Sequence, residues 1–65
     1  MKIQGITLQR GDKFQVGEDS SIYTFIDVTE SKRGFLELNC ENEFDSISSF
    51  RIDTMQVNGL YIKLV

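Results

Sequence analysis

Two runs of apolar, β-branched and aromatic residues stand near the middle of the chain, over residues 22–28 and 35–40. Each run has the length and composition of a β-strand. The six residues between them, 29–34, end in Gly34 and fit a hairpin with a longer loop better than a two-residue turn. The pattern therefore predicts a central antiparallel hairpin in a small all-β domain.

The first of these runs carries large apolar side chains on both faces. One parity holds Ile22, Thr24, Ile26 and Val28, and the other holds Tyr23, Phe25 and Asp27. A β-bulge near Phe25 and Ile26 would turn the aromatic residues inward before the bend and the aliphatic residues inward after it. A regular strand would instead leave Tyr23 and Phe25 partly exposed. We favour the bulge, because a small barrel needs one long strand to serve both of its sheets.

The flanking segments predict further strands. Residues 3–9 form a short strand or extended arm, residues 13–16 and 44–50 form strands, and residues 60–65 form the last strand. The side chains expected to face inward outside the first central run are Ile6, Leu8, Phe14, Val16, Leu36, Leu38, Cys40, Leu60, Ile62 and Leu64.

Residues 51–57 have a spacing that differs from that of the strands. Ile52, Met55 and Val57 fit a single helical turn lying on the sheet, and this turn is short enough to be a 3₁₀ helix. The segment is too short to form a helix by itself in water. Asn58 and Gly59 follow it and are typical of a helix end.

The order of strand, loop, long strand, two strands, helical turn and closing strand resembles the SH3-like small barrel. The resemblance covers about residues 12–65 and consists of topology and spacing. It implies a five- to six-stranded barrel in a single domain over residues 1–65, with residues 1–11 as an N-terminal arm or short edge strand. Peptide binding of the SH3 type is not implied, because the chain has no Trp and no Ala-Leu-Tyr-Asp-Tyr run. An OB-type barrel is the alternative, although it usually needs more residues and an additional helix.

The chain has only just enough apolar material for one core. A domain of 65 residues buries about 60% of its unfolded surface on folding. Apolar burial then contributes on the order of 100 kcal/mol, and ordering the chain costs about the same. Little apolar material remains to line an internal cavity, so we expect function to lie on the outer surface.

Charge and cysteine content narrow the classes of function. Seven basic and ten acidic residues give a net charge of −3, and the cations Lys2, Arg10, Lys13, Lys32, Arg33, Arg51 and Lys63 are spread along the chain. This distribution disfavours general binding to nucleic acid or to an anionic membrane. One cysteine allows no disulfide framework, and no run is apolar enough for a signal peptide or a membrane span. We therefore expect a cytoplasmic protein.

Catalytic and metal-binding groups are sparse. The chain has no histidine, and a lone cysteine makes no zinc site, so we expect no enzyme activity, no metal and no cofactor. Cys40 fits a small core residue better than a reactive thiol. The acidic residues near positions 37–45 match no calcium loop, and a solvated acidic rim is favoured over a weak cation site.

Two features are candidate interaction surfaces. The aromatic residues Tyr23, Phe25, Phe35 and Tyr61 would form a partner-binding patch if three of them were exposed together. The competing interpretation, which we slightly favour, is that the bulge buries two of them. The second candidate is the acidic group Glu41, Glu43 and Asp45, which would dock a basic protein surface or mimic phosphates toward a nucleic-acid-binding protein.

The leading hypothesis is a non-enzymatic protein-interaction or accessory module that binds a larger partner through the aromatic or acidic surface. Stand-alone accessory and regulatory proteins, phage-encoded ones included, are often of this size. The alternative is a binder of single-stranded nucleic acid that uses Lys13, Lys32 and Arg33 beside stacking aromatic residues. Homo-oligomers through an exposed strand edge, at residues 3–9 or 60–65, are also compatible with the pattern.

Overall fold

A computed structural model describes residues 2–65, which form two antiparallel sheets and one short helix. The elements are β1 (Lys2–Ile3), β2 (Ile6–Thr7), β3 (Lys13–Val16), β4 (Tyr23–Glu30), β5 (Leu36–Glu41), β6 (Ile47–Arg51), α1 (Ile52–Val57) and β7 (Ile62–Leu64). β1 and β2 make a two-stranded sheet, and the other strands make a five-stranded sheet in the order β6-β5-β4-β3-β7. A nearly all-β chain with a helical turn before the last strand is therefore confirmed. Within residues 2–65, no strand pairing joins the end strands β6 and β7.

The bulge predicted in the long strand is present in β4. Its pairing with β5 shifts register between Phe25 and Asp27, which leaves Ile26 as the extra residue. Phe25 is buried before the shift, and Val28 packs against the core after it. A β-bulge reverses which parity of a strand faces the core. This reversal explains why both parities of the sequence carry large apolar side chains.

The loop after β4 is shorter than the sequence indicated. Residues 29 and 30 continue the pairing with β5, so only residues 31–35 connect the two strands. The Gly34 N–H donates to the Ser31 carbonyl at 3.0 Å, and the Ser31 N–H donates to the Phe35 carbonyl at 2.8 Å. Gly34 has a φ of 84°, which glycine adopts without steric cost. The connection is thus a tight turn closed by a glycine bulge.

The single strand predicted over residues 3–9 is wrong. The segment is a hairpin, because Gln4 and Gly5 form a two-residue turn with φ values of 53° and 80°. Turns with two left-handed residues match the twist of paired strands. Ile3 and Leu8 are buried in the same core as the five-stranded sheet, so this part of the chain is not a free arm. Met1 lies outside the described residues.

The side chain of Gln4 joins this hairpin to the edge of β7. Gln4 Oε1 accepts the Ile62 N–H at 2.8 Å, and Gln4 Nε2 donates to the Leu60 carbonyl at 3.0 Å. The intervening Tyr61 carbonyl accepts the Gly17 N–H on the opposite side, toward β3. Since alternate residues of a strand direct their backbone groups to opposite sides, Gln4 occupies the outer edge of β7.

The core consists of nine buried apolar side chains between the sheet, the N-terminal hairpin and α1: Ile3, Leu8, Phe14, Val16, Phe25, Leu38, Cys40, Met55 and Ile62. The inward assignments of Phe14, Leu38 and Cys40 within their strands are confirmed, whereas Ile26, the extra residue of the bulge, is not part of the core. The helical turn over residues 51–57 is also confirmed, although it is an α-helix and not a 3₁₀ helix.

Inward assignments near the ends of elements are wrong. Leu36, Leu60 and Leu64 are 45%, 38% and 52% exposed, and Val57 is 86% exposed. Residues 44–46 belong to a turn, and β6 begins only at Ile47. Alternation along a strand identifies the face of each side chain, but it does not show where the layer that covers that face ends.

Candidate functional site

Residues 41–47, the connection between β5 and β6 with one strand residue on each side, expose two large apolar side chains. Phe44 is 86% exposed and Ile47 is 64% exposed. The acidic residues Glu41, Glu43 and Asp45 alternate with Asn42 and Phe44 along this connection, which we call the β5–β6 turn. Phe44 and Ile47 are thus exposed apolar side chains with three acidic residues beside them in sequence.

Asn42 fixes the backbone of the β5–β6 turn. Its side-chain carbonyl accepts the N–H groups of Phe44 at 2.8 Å and Ser46 at 3.1 Å, and its own N–H donates to the Ser46 carbonyl at 2.8 Å. Its side-chain N–H₂ donates to Ser48 Oγ at 3.1 Å. Phe44 is therefore presented on an ordered backbone, which lowers the entropy lost when it binds a partner.

Of the three predicted acidic residues, Glu43 also has a structural role. Its Oε1 accepts the backbone N–H of Ile22 at 2.6 Å, which ties the turn to the segment before β4. Glu41 and Asp45 are exposed. Within residues 2–65, acidic and cysteine side chains do not gather into a group of three that could hold a metal ion.

A second surface feature lies between the turn after β4 and α1. It is an open groove of about 290 Å³, lined by Gly34, Phe35, Leu36, Ile52, Asp53 and Gln56. We call it the Phe35 groove. Its apolar surface comes from the residues at the start of β5 and from the first residue of α1.

Arg51 contacts the groove residue Phe35. Its guanidinium carbon lies 3.6 Å from the centre of the Phe35 ring, a cation–π contact. Its Nε and Nη2 donate to the two carboxylate oxygens of Asp53 at 3.1 and 2.7 Å. This pairing raises the pKa of Arg51 and lowers the pKa of Asp53. Phe35 is consequently half-buried under a guanidinium that is held in place by a bidentate pair.

Lys32 and Arg33 supply positive charge beside the groove. Both are exposed and immediately precede Gly34, which lines it. The ion pair found within residues 2–65 joins Arg51 to Asp53, so neither Lys32 nor Arg33 has a carboxylate partner there. The groove is thus an apolar surface with a basic neighbour on a chain whose net charge is −3.

The structure does not bring the four predicted aromatic residues together at the surface. Phe25 is 4% exposed, and Tyr23 is packed between Phe14 and Phe50 with ring centroids 5.8 and 5.3 Å away. Phe35 is half-buried, whereas Tyr61 is 56% exposed beside β3. The bulge carries Phe25 into the core and Tyr23 is packed between two rings, as the favoured interpretation predicted, so three of these four residues are not exposed together.

Phe44 is the exposed aromatic residue that the sequence interpretation missed. We expected it at the start of a strand, on the basis of the run that reaches Phe50. Asn42 stands just before this run, and an Asn side chain commonly bonds backbone N–H groups two residues ahead. That bond extends the turn past Phe44, and it is the signal that was available in the sequence.

Cys40 is a core residue, as its position in β5 indicated. Its side chain is fully buried, and Sγ lies 3.4 Å from the Ser48 carbonyl as a hydrogen-bond donor. Burial raises the pKa of the thiol to about 11. At neutral pH only about one molecule in ten thousand then carries the nucleophilic thiolate.

Two carboxylates make the stability of the fold sensitive to acid. The backbone N–H of Ser21 lowers the pKa of Asp19, and Arg51 lowers the pKa of Asp53. Because both pKa values are lower in the folded state, their stabilising contribution is complete above the ordinary carboxyl pKa of about 4 and is lost as the pH falls through the folded values. We expect the thermal midpoint, followed by circular dichroism, to stay level from neutral pH to about pH 5 and to fall below about pH 4. An Asp19→Asn, Asp53→Asn variant should show a smaller fall, and an identical fall would contradict this assignment.

Comparison with known proteins adds no family or relative to this description. The chain matches no protein-family model, no curated protein and no solved structure. Within residues 2–65, no helix has the length and apolar character needed to cross a membrane, since α1 has six residues. The function proposed below therefore rests on the geometry of the chain itself.

Proposed function

We propose that this protein is a non-enzymatic interaction module that binds a larger protein through the β5–β6 turn. The observation that carries the proposal is Phe44, which is 86% exposed on a backbone fixed by Asn42. Interfaces are dominated by a few aromatic or arginine anchors that enter well-packed pockets. A rigid turn that holds an aromatic ring in water is suited to supply such an anchor.

The charges around Phe44 define the chemistry of the partner. Glu41, Glu43 and Asp45 flank the ring in sequence, and the whole chain has a net charge of −3. Complementary potentials speed association and reject partners of like charge. The partner surface is therefore an apolar pocket with Lys or Arg residues around its rim.

The architecture and location of the module are part of the same proposal. The strand order β6-β5-β4-β3-β7, the bulge in β4 and the helix before β7 support an SH3-like small barrel. The free, buried thiol of Cys40 supports a reducing compartment such as the cytoplasm. The proposal of an accessory or regulatory role, in a phage or another compact genome, rests on an analogy of size.

The positions of the cations favour a protein partner over single-stranded nucleic acid. Lys13 contacts Thr24 Oγ1 at 3.4 Å near the start of β4, whereas Lys32 and Arg33 follow its end. The strand between them spans about 20 Å. One face of Phe35 is already covered by Arg51. Single-strand binders need cations along one path beside free aromatic faces. The separated cations and the covered face of Phe35 therefore give little support to single-stranded nucleic-acid binding.

A site-specific crosslink tests the proposal. A photoreactive phenylalanine at position 44 should capture one dominant protein from the native host, and the same probe at position 61 should not. The captured protein is then purified and titrated against the wild type and two alanine variants. We expect Phe44→Ala to weaken binding by at least about tenfold and the matched aromatic control, Tyr61→Ala, to leave it unchanged. Equal affinity for the wild type and Phe44→Ala would refute the assignment of the site.

A further inference from the structure

The β5–β6 turn and the Phe35 groove lie at opposite ends of one hairpin. Glu41 pairs with Ile47 next to the turn, and Glu37 pairs with Arg51 next to the groove. Along β5 the two features are separated by about five residue steps, or about 17 Å. Phe44 therefore cannot enter the groove of its own chain.

The two features are complementary in shape and charge. The turn projects an exposed aromatic side chain with carboxylates beside it in sequence, whereas the groove is a concave, largely apolar surface next to Lys32 and Arg33 in sequence. Asp53, which also lines the groove, is paired with Arg51. A groove of about 290 Å³ has room for one phenylalanine side chain. The two cations have no ion-pair partner within residues 2–65, so they are available to the acidic flanks of the turn.

We propose that the Phe35 groove binds the β5–β6 turn of a second copy of this chain, so that copies associate head to tail. The inference rests on the proposed function in one respect, namely that Phe44 acts as an anchor. Phe44 would pack on Phe35, Leu36 and Ile52 of the neighbouring copy. Glu41 and Asp45 would approach Lys32 and Arg33 of that copy.

The geometry of this contact determines what assembles. The two surfaces that meet are different, so every assembly keeps one free turn and one free groove, and growth continues unless the ends meet in a ring. Self-association also covers Phe44. Self-association therefore competes with binding of the external partner. On dilution the assembly dissociates into single chains that can bind that partner.

Sedimentation of the full chain tests the inference. At low salt, the weight-average mass of the wild type should rise with concentration beyond that of a dimer, and at about 0.5 M salt it should return toward one chain because the charges are screened. Phe44→Ala has an intact groove, and the double variant Lys32→Glu, Arg33→Glu has an intact turn. Each alone should remain a single chain. Mixed in equal amounts, they should form a dimer that does not grow, since only one functional contact is left.

The control for the charge change is the double variant Lys2→Glu, Arg10→Glu, which alters the net charge equally at two other exposed positions. It should assemble like the wild type. The inference is overturned if the wild type stays a single chain up to about 1 mM. It is also overturned if Phe44→Ala assembles like the wild type, or if the mixed variants fail to pair.

The crosslinking experiment separates this inference from the proposed function. If the wild type remains a single chain and Phe44→Ala weakens binding to the captured protein, only the head-to-tail contact is refuted. Assembly through Phe44 without any captured partner refutes the external partner and supports the head-to-tail contact.

Discussion

Replacement of Phe14 by alanine is expected to remove about a third or more of the free energy of unfolding of the protein. Phe14 is fully buried, pairs in register with Tyr23 on one side and Leu64 on the other, and stacks on the Tyr23 ring at 5.8 Å. Removing a buried phenyl ring costs about 3–5 kcal/mol, because the transfer energy is lost and a cavity remains. A domain of 65 residues has a free energy of unfolding of about 3–10 kcal/mol.

The matched control uses the same chemical change at an exposed site. Phe44→Ala removes an identical side chain that is 86% in water, so its free energy of unfolding should stay within about 0.5 kcal/mol of the wild type. Urea titration followed by circular dichroism measures both. A Phe14→Ala variant with the wild-type midpoint would show that β3 does not lie at the centre of the core.

Gln4→Ala is expected to lower the free energy of unfolding by about 2 kcal/mol, even though it changes a polar residue in a turn. The substitution removes both hydrogen bonds of the Gln4 amide, to the Ile62 N–H and to the Leu60 carbonyl. Ile62 is 3% exposed, so its N–H is left with little access to water. The contact between the N-terminal hairpin and β7 is also lost, which loosens the packing of Ile3 and Leu8.

Gln9→Ala is the control for Gln4→Ala, because Gln9 is exposed and uses its backbone N–H, not its side chain, in its hydrogen bond to Asp12. Its free energy of unfolding should equal that of the wild type. Hydrogen exchange gives a second measurement, since the Ile62 amide should lose protection in Gln4→Ala before the amides of β5 do. Unchanged protection of Ile62 would show that the Gln4 amide does not hold this edge.

Much of the fold could be predicted from local pattern. The strands β3 and β4, the centre of β5 and the helical turn at Met55 follow from alternation and from the spacing of apolar residues. The bulge could be predicted as well, because large side chains on both parities of β4 can face one core only if the register shifts. These features depend on residues that are close in sequence.

The candidate site could be predicted only in part. The acidic residues of the β5–β6 turn and Phe35 were among the candidates, and burial of Phe25 by the bulge was the favoured interpretation, but Phe44 was assigned to a strand. In a short strand, the side of the sheet on which each side chain lies depends on where the register shifts and where the turn ends. A side-chain hydrogen bond, such as that from Asn42 to the Ser46 N–H, shifts these boundaries by two or three residues.

By itself, the sequence of this protein determined an all-β chain, the position of its bulge, its closing helical turn and the buried state of Cys40. Tertiary structure alone decided that residues 2–7 fold back as a hairpin whose Gln4 covers the edge of β7. It also decided that Tyr23 is packed between the rings of Phe14 and Phe50. These contacts join residues far apart in the chain, and a local pattern of polar and apolar positions carries no information about which distant surface covers which side chain.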